Sequence, residues 1–186
     1  MIIVGIGYRK GRGKDSLANF IKDHLSINCK GCTVRVVGFA DKLKDISYQL
    51  FSWAGLQRGI YYESHYQMKE EILPAIGMSP RDIWIAVGNA LRKVYSKSWI
   101  HFLTKNPQNV DVLLCKDLGF VNEAEEIRAT KGGVLVKMER EGPMATDGRE
   151  TELDGWLDWD IIVKNHGTLH DLQRTAVQIC TEYILK

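Results

Sequence analysis

The chain has 186 residues, 45% hydrophobic and 26% charged, with a formal net charge of +2. A chain of that length reads as one domain that buries roughly 70% of its unfolded surface, so it needs no covalent staple. The near-neutral balance excludes a broad field for nucleic acid or membrane, and no apolar run is long enough to span a bilayer. The chain opens directly on a strand with no signal-peptide layout, from which a cytoplasmic location is expected.

Ile2, Ile3, Val4 and Ile6 form a short apolar run, as a central parallel strand covered on both faces requires. Gly11 and Gly13 follow, then Lys14, Asp15 and Ser16, and from there Leu17, Phe20, Ile21 and Leu25 share one helical face. Glycines let backbone N–H groups close on an anion, and a helix N-terminus with a lysine beside it is a polyphosphate site. The phosphate-loop pattern asks for Gly, four residues, then Gly-Lys-Ser/Thr. Gly13-Lys14 fits, but Tyr8 stands where the first glycine belongs and Asp15 where the hydroxyl belongs. Gly7, Gly11 and Gly13 also resemble the dinucleotide turn of short-chain dehydrogenases, whose Tyr-x-x-x-Lys pair this chain lacks.

Further along, Thr33 to Phe39 is a β-branched run and reads as a second strand, joined to the first by a right-handed parallel crossover. A helix follows, with Asp41 as N-cap and Leu43, Ile46, Leu50 and Phe51 inward. Asp41, Lys42 and Lys44 fall just past a strand's carboxyl end, where open parallel sheets bind ligands. From Trp53 to Ser79 the pattern is irregular and aromatic, with a helix expected from Gln67 to Ile76 until Pro74 interrupts it. Ser79 and Pro80 then open a helix striped by Ile83, Trp84, Val87, Leu91 and Val94. Gly88 inside that helix costs about 1 kcal/mol of propensity and implies a close approach. Ser98 to Leu103 reads as a short helix ended by Pro107.

A third strand, Val110 to Asp117, ends in a carboxylate, a usual place for magnesium; a turn cap is the alternative. Asn122 to Ala129 is helical, Val134 to Met138 is a fourth strand with Arg140 just past it, and Trp159 to Val163 a fifth. Glu141 to Gly155 is polar, a candidate lid. Asn165-His166-Gly167 turns into a last helix, Leu169 to Ile184. Cys29-Lys30-Gly31-Cys32 stands alone, without the second pair that zinc wants, and reads as a turn carrying two thiols.

Taken in order, Gly13-Lys14-Asp15-Ser16, Phe39-Ala40-Asp41-Lys42-Leu43-Lys44, Ser79-Pro80-Arg81-Asp82, Trp99-Ile100, Asp117 to Ala124, the strand-to-Arg140 junction, Glu150 and Asn165-His166-Gly167 resemble the deoxynucleoside monophosphate kinases of bacteriophages. The resemblance runs nearly end to end. It implies a three-layer αβα P-loop NTPase fold with a five-stranded parallel sheet, over a single domain 1–186. A helical acceptor-binding insertion would occupy about 53–104 and a lid about 140–156. It implies transfer of the γ-phosphoryl of ATP to a deoxynucleoside monophosphate, with ATP and Mg2+ required, and a homodimer.

Carried over, Arg9, Lys10, Gly11, Arg12, Gly13, Lys14, Asp15 and Ser16 would hold the ATP phosphates. Asp15, Ser16 and Asp117 would support magnesium. Arg140 would stabilise the transferring group, and Asn165 and Gly167 would border the adenine. Lys44, Arg81 and Arg92 would face the acceptor phosphate, with Asp41, Trp84, Gly88 and Trp99 completing the acceptor site. Two residues depart from the family: Tyr8, and Gly119 in place of an arginine. Alternatives are a kinase for another small phosphorylated acceptor and a nucleotide-binding module without catalysis.

Overall fold

The computed structural model describes residues 1–9, 11–105, 109–141 and 151–186. Lys10, Pro107 and the 142–150 part of the expected lid, with Arg149 and Glu150, lie outside the described residues. The chain divides into two compact units: the first is 1–38 with 104–186, the second 39–103.

The first unit is an α/β fold around a five-stranded, all-parallel sheet. Its strands are β1 (Ile2–Gly7), β2 (Val34–Val37), β3 (Val112–Leu118), β4 (Gly133–Glu139) and β5 (Ile161–Lys164). They lie in the order β2-β3-β1-β4-β5. Sequence order reverses at β1, which pairs with β3 on one side and β4 on the other. The carboxyl end of β1 is therefore the topological switch point, where sheets of this kind bind ligands.

Two faces of the sheet are covered. On one, Val4 and Ile6 pack with Leu17, Ile21 and Leu25 of α1 (Lys14–Asn28) and with Leu172, Ala176 and Ile179 of the last α-helix, Leu169–Ile179. On the other face lies the helix Val121–Ala129. There Gly5 leaves room for Ile127, whose Cδ1 would come within 2.7 Å of any Cβ at that position. Side chains buried this fully contribute about 1.5–3 kcal/mol each before the entropy of ordering them.

The second unit is helical. Its elements are α2 (Phe39–Phe51), α3 (Tyr61–Ser64), α4 (Pro80–Val94) and most of α5 (Ser98–Lys105). The two helices of the first unit just described are α6 (Val121–Ala129) and α7 (Leu169–Ile179). Leu56, Tyr62, Ile83 and Trp84 form the second unit's core, with Leu43 and Val87 packed against it. Ser79 caps α4 as expected: its hydroxyl accepts from the Asp82 N–H, while the Asp82 carboxylate accepts from the Ser79 N–H.

Several local expectations change. The helix from Gln67 to Ile76 does not form; a 3-10 turn spans Tyr66–Lys69, and Leu73 instead bridges Met78 around Pro74 and Gly77. Pro74 has no N–H to give a helix, and Gly77 turns the chain at φ 71°. Helix α2 begins at Phe39, so Asp41 lies in its first turn instead of at its cap, still well placed against the helix dipole. Leu50 and Val94, expected inward, are 56% and 83% exposed. Both come at or near the last turn of their helices, where the packed stripe runs out. The last helix is α only to Ile179 and closes with a π-turn over Cys180–Ile184. Cys29 and Cys32 are joined as a disulfide, where the spacing alone suggests two free thiols. Among the described residues no helix is long and apolar enough to cross a membrane.

Candidate phosphate-loop site

The loop from Tyr8 to Gly13 leaves the switch-point strand and enters α1. Tyr8, Gly11 and Gly13 all have left-handed backbones, at φ 85°, 73° and 93°. Gly13 is the N-cap of α1, and no side chain caps it. By contrast, α4 and α7 each carry a complete capping box. The first N–H groups of a helix have no partner inside it, and at α1 no side chain at the cap position accepts from them, at the positive end of the helix dipole. Lys14 turns back over the loop. Its Nζ donates to the carbonyls of Tyr8 at 3.0 Å and Arg9 at 2.6 Å, so the ammonium lies at the loop's own main chain and not in the apolar core.

The loop is fastened from outside. Arg12 is 6% exposed, and its guanidinium donates to the carbonyl of Arg140, just past β4. Arg12 thus ties the loop to the Arg140 junction. Arg140 itself is exposed. Asn165, 8% exposed, donates from Nδ2 to the Arg12 carbonyl at 3.0 Å, and its own N–H donates to the Glu139 carbonyl at 2.7 Å. This side chain, expected to border adenine, is bonded to the glycine-rich loop. A Cβ at Gly13 would come 2.5 Å from the same Nδ2, so both φ and space require glycine there. Gly167 is similarly close to the Asp171 carboxylate, 2.7 Å from where its Cβ would be.

Across the step from Gly5 to Gly7, β1 pairs with Cys115 and then Leu118. Strand β3 carries one extra residue there, so Lys116 and Asp117 together stand opposite Ile6. A bulge of this kind puts two charged side chains where the pleat allows one, and such bulges cluster at functional sites. The Lys116 Nζ reaches Asp15 Oδ1 at 3.0 Å. Asp15 is 73% exposed in its side chain, so this pair adds little stability, about 0–1 kcal/mol, and chiefly orients the carboxylate. Among the described residues no group of three or more His, Cys, Asp or Glu forms a ready metal cage. Magnesium asks for less, because it takes one or two carboxylates together with phosphate oxygens and water. Asp15, Ser16 and Asp117, at the start of α1 and the end of β3, fit that requirement. Beyond them, Glu123 is 2% exposed and its carboxylate accepts from the N–H groups of Gly119 and Phe120, fixing the turn after β3.

Sequence reasoning missed the neighbours of Tyr8. Arg9 pairs with Asp154 at 2.9 Å and places its guanidinium carbon 5.0 Å from the Tyr8 ring centre. The Lys137 ammonium lies 4.5 Å from the same ring and pairs with Glu139 at 2.8 Å. A non-glycine residue held at such a φ costs about 1–3 kcal/mol. The missing glycine was the signal in the sequence; nothing there pointed to Lys137 or Asp154.

The residues expected at the acceptor belong to the second unit. Asp41, Lys44, Asp45 and Tyr48, one face of α2, line a 220 Å³ cleft with Arg58 and Glu63. Arg58 lies over the Tyr48 ring at 5.1 Å, and the Lys44 ammonium lies 5.7 Å from the Trp84 ring centre. Arg81 pairs with Glu70. Its guanidinium titrates above its ordinary range: burial lowers it, but hydrogen bonds and charge from Glu70 and Tyr66 outweigh that. The close approach at Gly88 is made by Leu43 of α2, 3.2 Å from a Cβ there, with the Arg92 guanidinium at 3.5 Å. Trp84 and Trp99 are 9% and 4% exposed, and their buried indole N–H groups have no hydrogen-bond partner among the described residues. Tyr48, Arg58 and Glu63 had no motif to mark them.

The chain matches no protein-family model and no curated protein.

Proposed function

We propose that this chain is a nucleotide kinase that transfers the γ-phosphoryl group of ATP to a deoxynucleoside monophosphate. The observation that carries the reading is the loop before α1: three left-handed residues, an uncapped helix start and the Lys14 ammonium folded over it. Polyphosphate matches each of these features, since it accepts from backbone N–H groups, favours the positive end of the dipole and pairs with a lysine.

In this reading the first unit holds ATP by its phosphates. The N–H groups of the loop and first turn bind the chain of phosphates, and Lys14 exchanges its carbonyl partners for phosphate oxygens. Arg140, its main chain fixed by Arg12, offsets negative charge on the transferring group. Asp15, Ser16 and Asp117 would hold magnesium, whose chemistry is to neutralise phosphate charge. In the second unit, Asp41, Lys44, Arg81, Trp84, Gly88, Arg92 and Trp99 serve the acceptor. The bond from γ-phosphorus to the bridging oxygen of ADP breaks, and a bond to an acceptor phosphate oxygen forms. That oxygen is already ionised, so no general base is required; positioning and charge carry the reaction.

A screen of ATP and magnesium against every common deoxynucleoside monophosphate, following ADP, tests the reading. ADP formation with at least one acceptor is expected. Folded protein that binds ATP yet turns over none of these acceptors excludes this reaction; if wider acceptors also fail, a binding module without catalysis remains.

A further inference from the structure

Tyr8 has a left-handed φ of 85°, alone among the described non-glycine residues. A glycine would take that conformation without strain and would offer Lys14 the same carbonyl. What tyrosine adds is its ring, and the ring meets two cations: Lys137 at 4.5 Å and Arg9 at 5.0 Å. Arg9 belongs to the loop, and Lys137 is the β4 residue paired with Gly7, where the loop begins.

Two like charges held to one ring repel, so something must offset them. Asp154 does so for Arg9 and Glu139 for Lys137. Neither carboxylate exhausts the donors available: an arginine has five N–H groups and a lysine three. The Arg9 Nε–H is buried and has no hydrogen-bond partner among the described residues. The Arg9 side chain as a whole is 22% exposed, and an unpaired N–H is a cost that a small shift toward a ligand oxygen would relieve.

We infer that Arg9 and Lys137, gathered by the Tyr8 ring, are a second anion-holding pair on this loop, with Tyr8 as the positioning residue. The ligand class is the polyphosphate of a nucleoside triphosphate, and the inference rests on the phosphate-binding reading of the loop. The pair places two positive charges beside the loop. It also explains why a strained tyrosine stands where glycine is the unstrained choice.

Calorimetric titration of inorganic tripolyphosphate and of ATP into wild type, Tyr8→Phe, Tyr8→Gly, Lys137→Gln and the Tyr8→Gly/Lys137→Gln double variant tests it. Tyr8→Phe keeps the ring face and should bind within about twofold of wild type. Tyr8→Gly and Lys137→Gln should each bind about 3- to 10-fold more weakly, on the scale of one cation–π contact. The double variant should be no weaker than about the worse single, because both remove the same arrangement. The melting temperature of Tyr8→Gly should hold or rise while its affinity falls, which a merely structural role would not produce.

Unchanged affinity in Tyr8→Gly or in Lys137→Gln, or losses that multiply in the double variant, overturns the pair while wild-type binding leaves the phosphate reading intact. Wild-type protein that binds neither probe overturns both. Should Tyr8→Gly fail to fold, the Lys137→Gln titration decides alone.

Discussion

The Asn165 side-chain amide donates to the carbonyl of Arg12 at 3.0 Å, joining residues 153 positions apart and clamping the loop before α1 from late in the chain. Gly13 makes room for it. Asn165→Ala should destabilise the protein by about 1–3 kcal/mol, the range for a buried polar group left without its partner. Gly13→Ala should cost at least as much, since it combines a left-handed alanine with a clash against Nδ2. The double variant should be less destabilised than the sum of the singles, because truncating Asn165 removes the clash. Urea unfolding of the set checks this; strict additivity would mean that the clamp does not act on Gly13.

The cysteines divide into two classes. Cys115 and Cys180 are fully buried, and burial pushes both thiols up, Cys180 to about 11 and Cys115 well above its ordinary value with help from the Asp117 and Glu123 charges. Such thiols are inert. Native, unreduced protein at pH 8 should show no rapidly reacting thiol toward a disulfide reagent. Unfolding in denaturant should release two, and prior reduction should add Cys29 and Cys32 in the native state. Two fast thiols in native, unreduced protein would contradict the pairing of Cys29 with Cys32.

Asp171, Asp111 and Glu139 all titrate below the usual carboxylate range, and the first two fasten the starts of elements. Asp171 accepts from the N–H and hydroxyl of Thr168 and from Arg174, and it titrates well below the usual range. Asp111 is lowered by the Thr33 N–H and hydroxyl, which tie the start of β3 to the start of β2. Folded values below the unfolded one mean that their stabilisation is complete above the unfolded value near 3.9 and is lost as pH falls through the folded values. The melting temperature should therefore stay level from about pH 7 to 5 with respect to these groups and fall below about pH 4. The deficit of Asp171→Asn against wild type should shrink over the same fall. A deficit that grows on acidification would reverse the assignment.

Much of this was legible beforehand because it depends on local chemistry. The β1 apolar run, the glycines at 11 and 13, the Ser79–Asp82 cap and the α1 stripe each follow from residue type and spacing. What was not legible depends on partners remote in the chain. The bulge that brings Lys116 and Asp117 together appears only when β3 is laid beside β1. Asn165 reads as a loop residue until the fold returns it to Arg12. The interruption at Pro74 was legible, but the helix expected before it is only a 3-10 turn, and the turn that Pro74 and Gly77 shape is closed by Leu73 and Met78, a pairing no local spacing announces.

Calorimetric titration of ATP with magnesium into wild type and Lys14→Ala addresses the grip of the loop itself. Wild type should bind. Lys14→Ala should bind about 10- to 100-fold more weakly, as expected for losing a charge-assisted hydrogen bond of about 1.5–3 kcal/mol, with an unchanged far-ultraviolet circular dichroism spectrum. No binding by folded wild type, or equal affinity in Lys14→Ala, would contradict the assignment of this loop to phosphate.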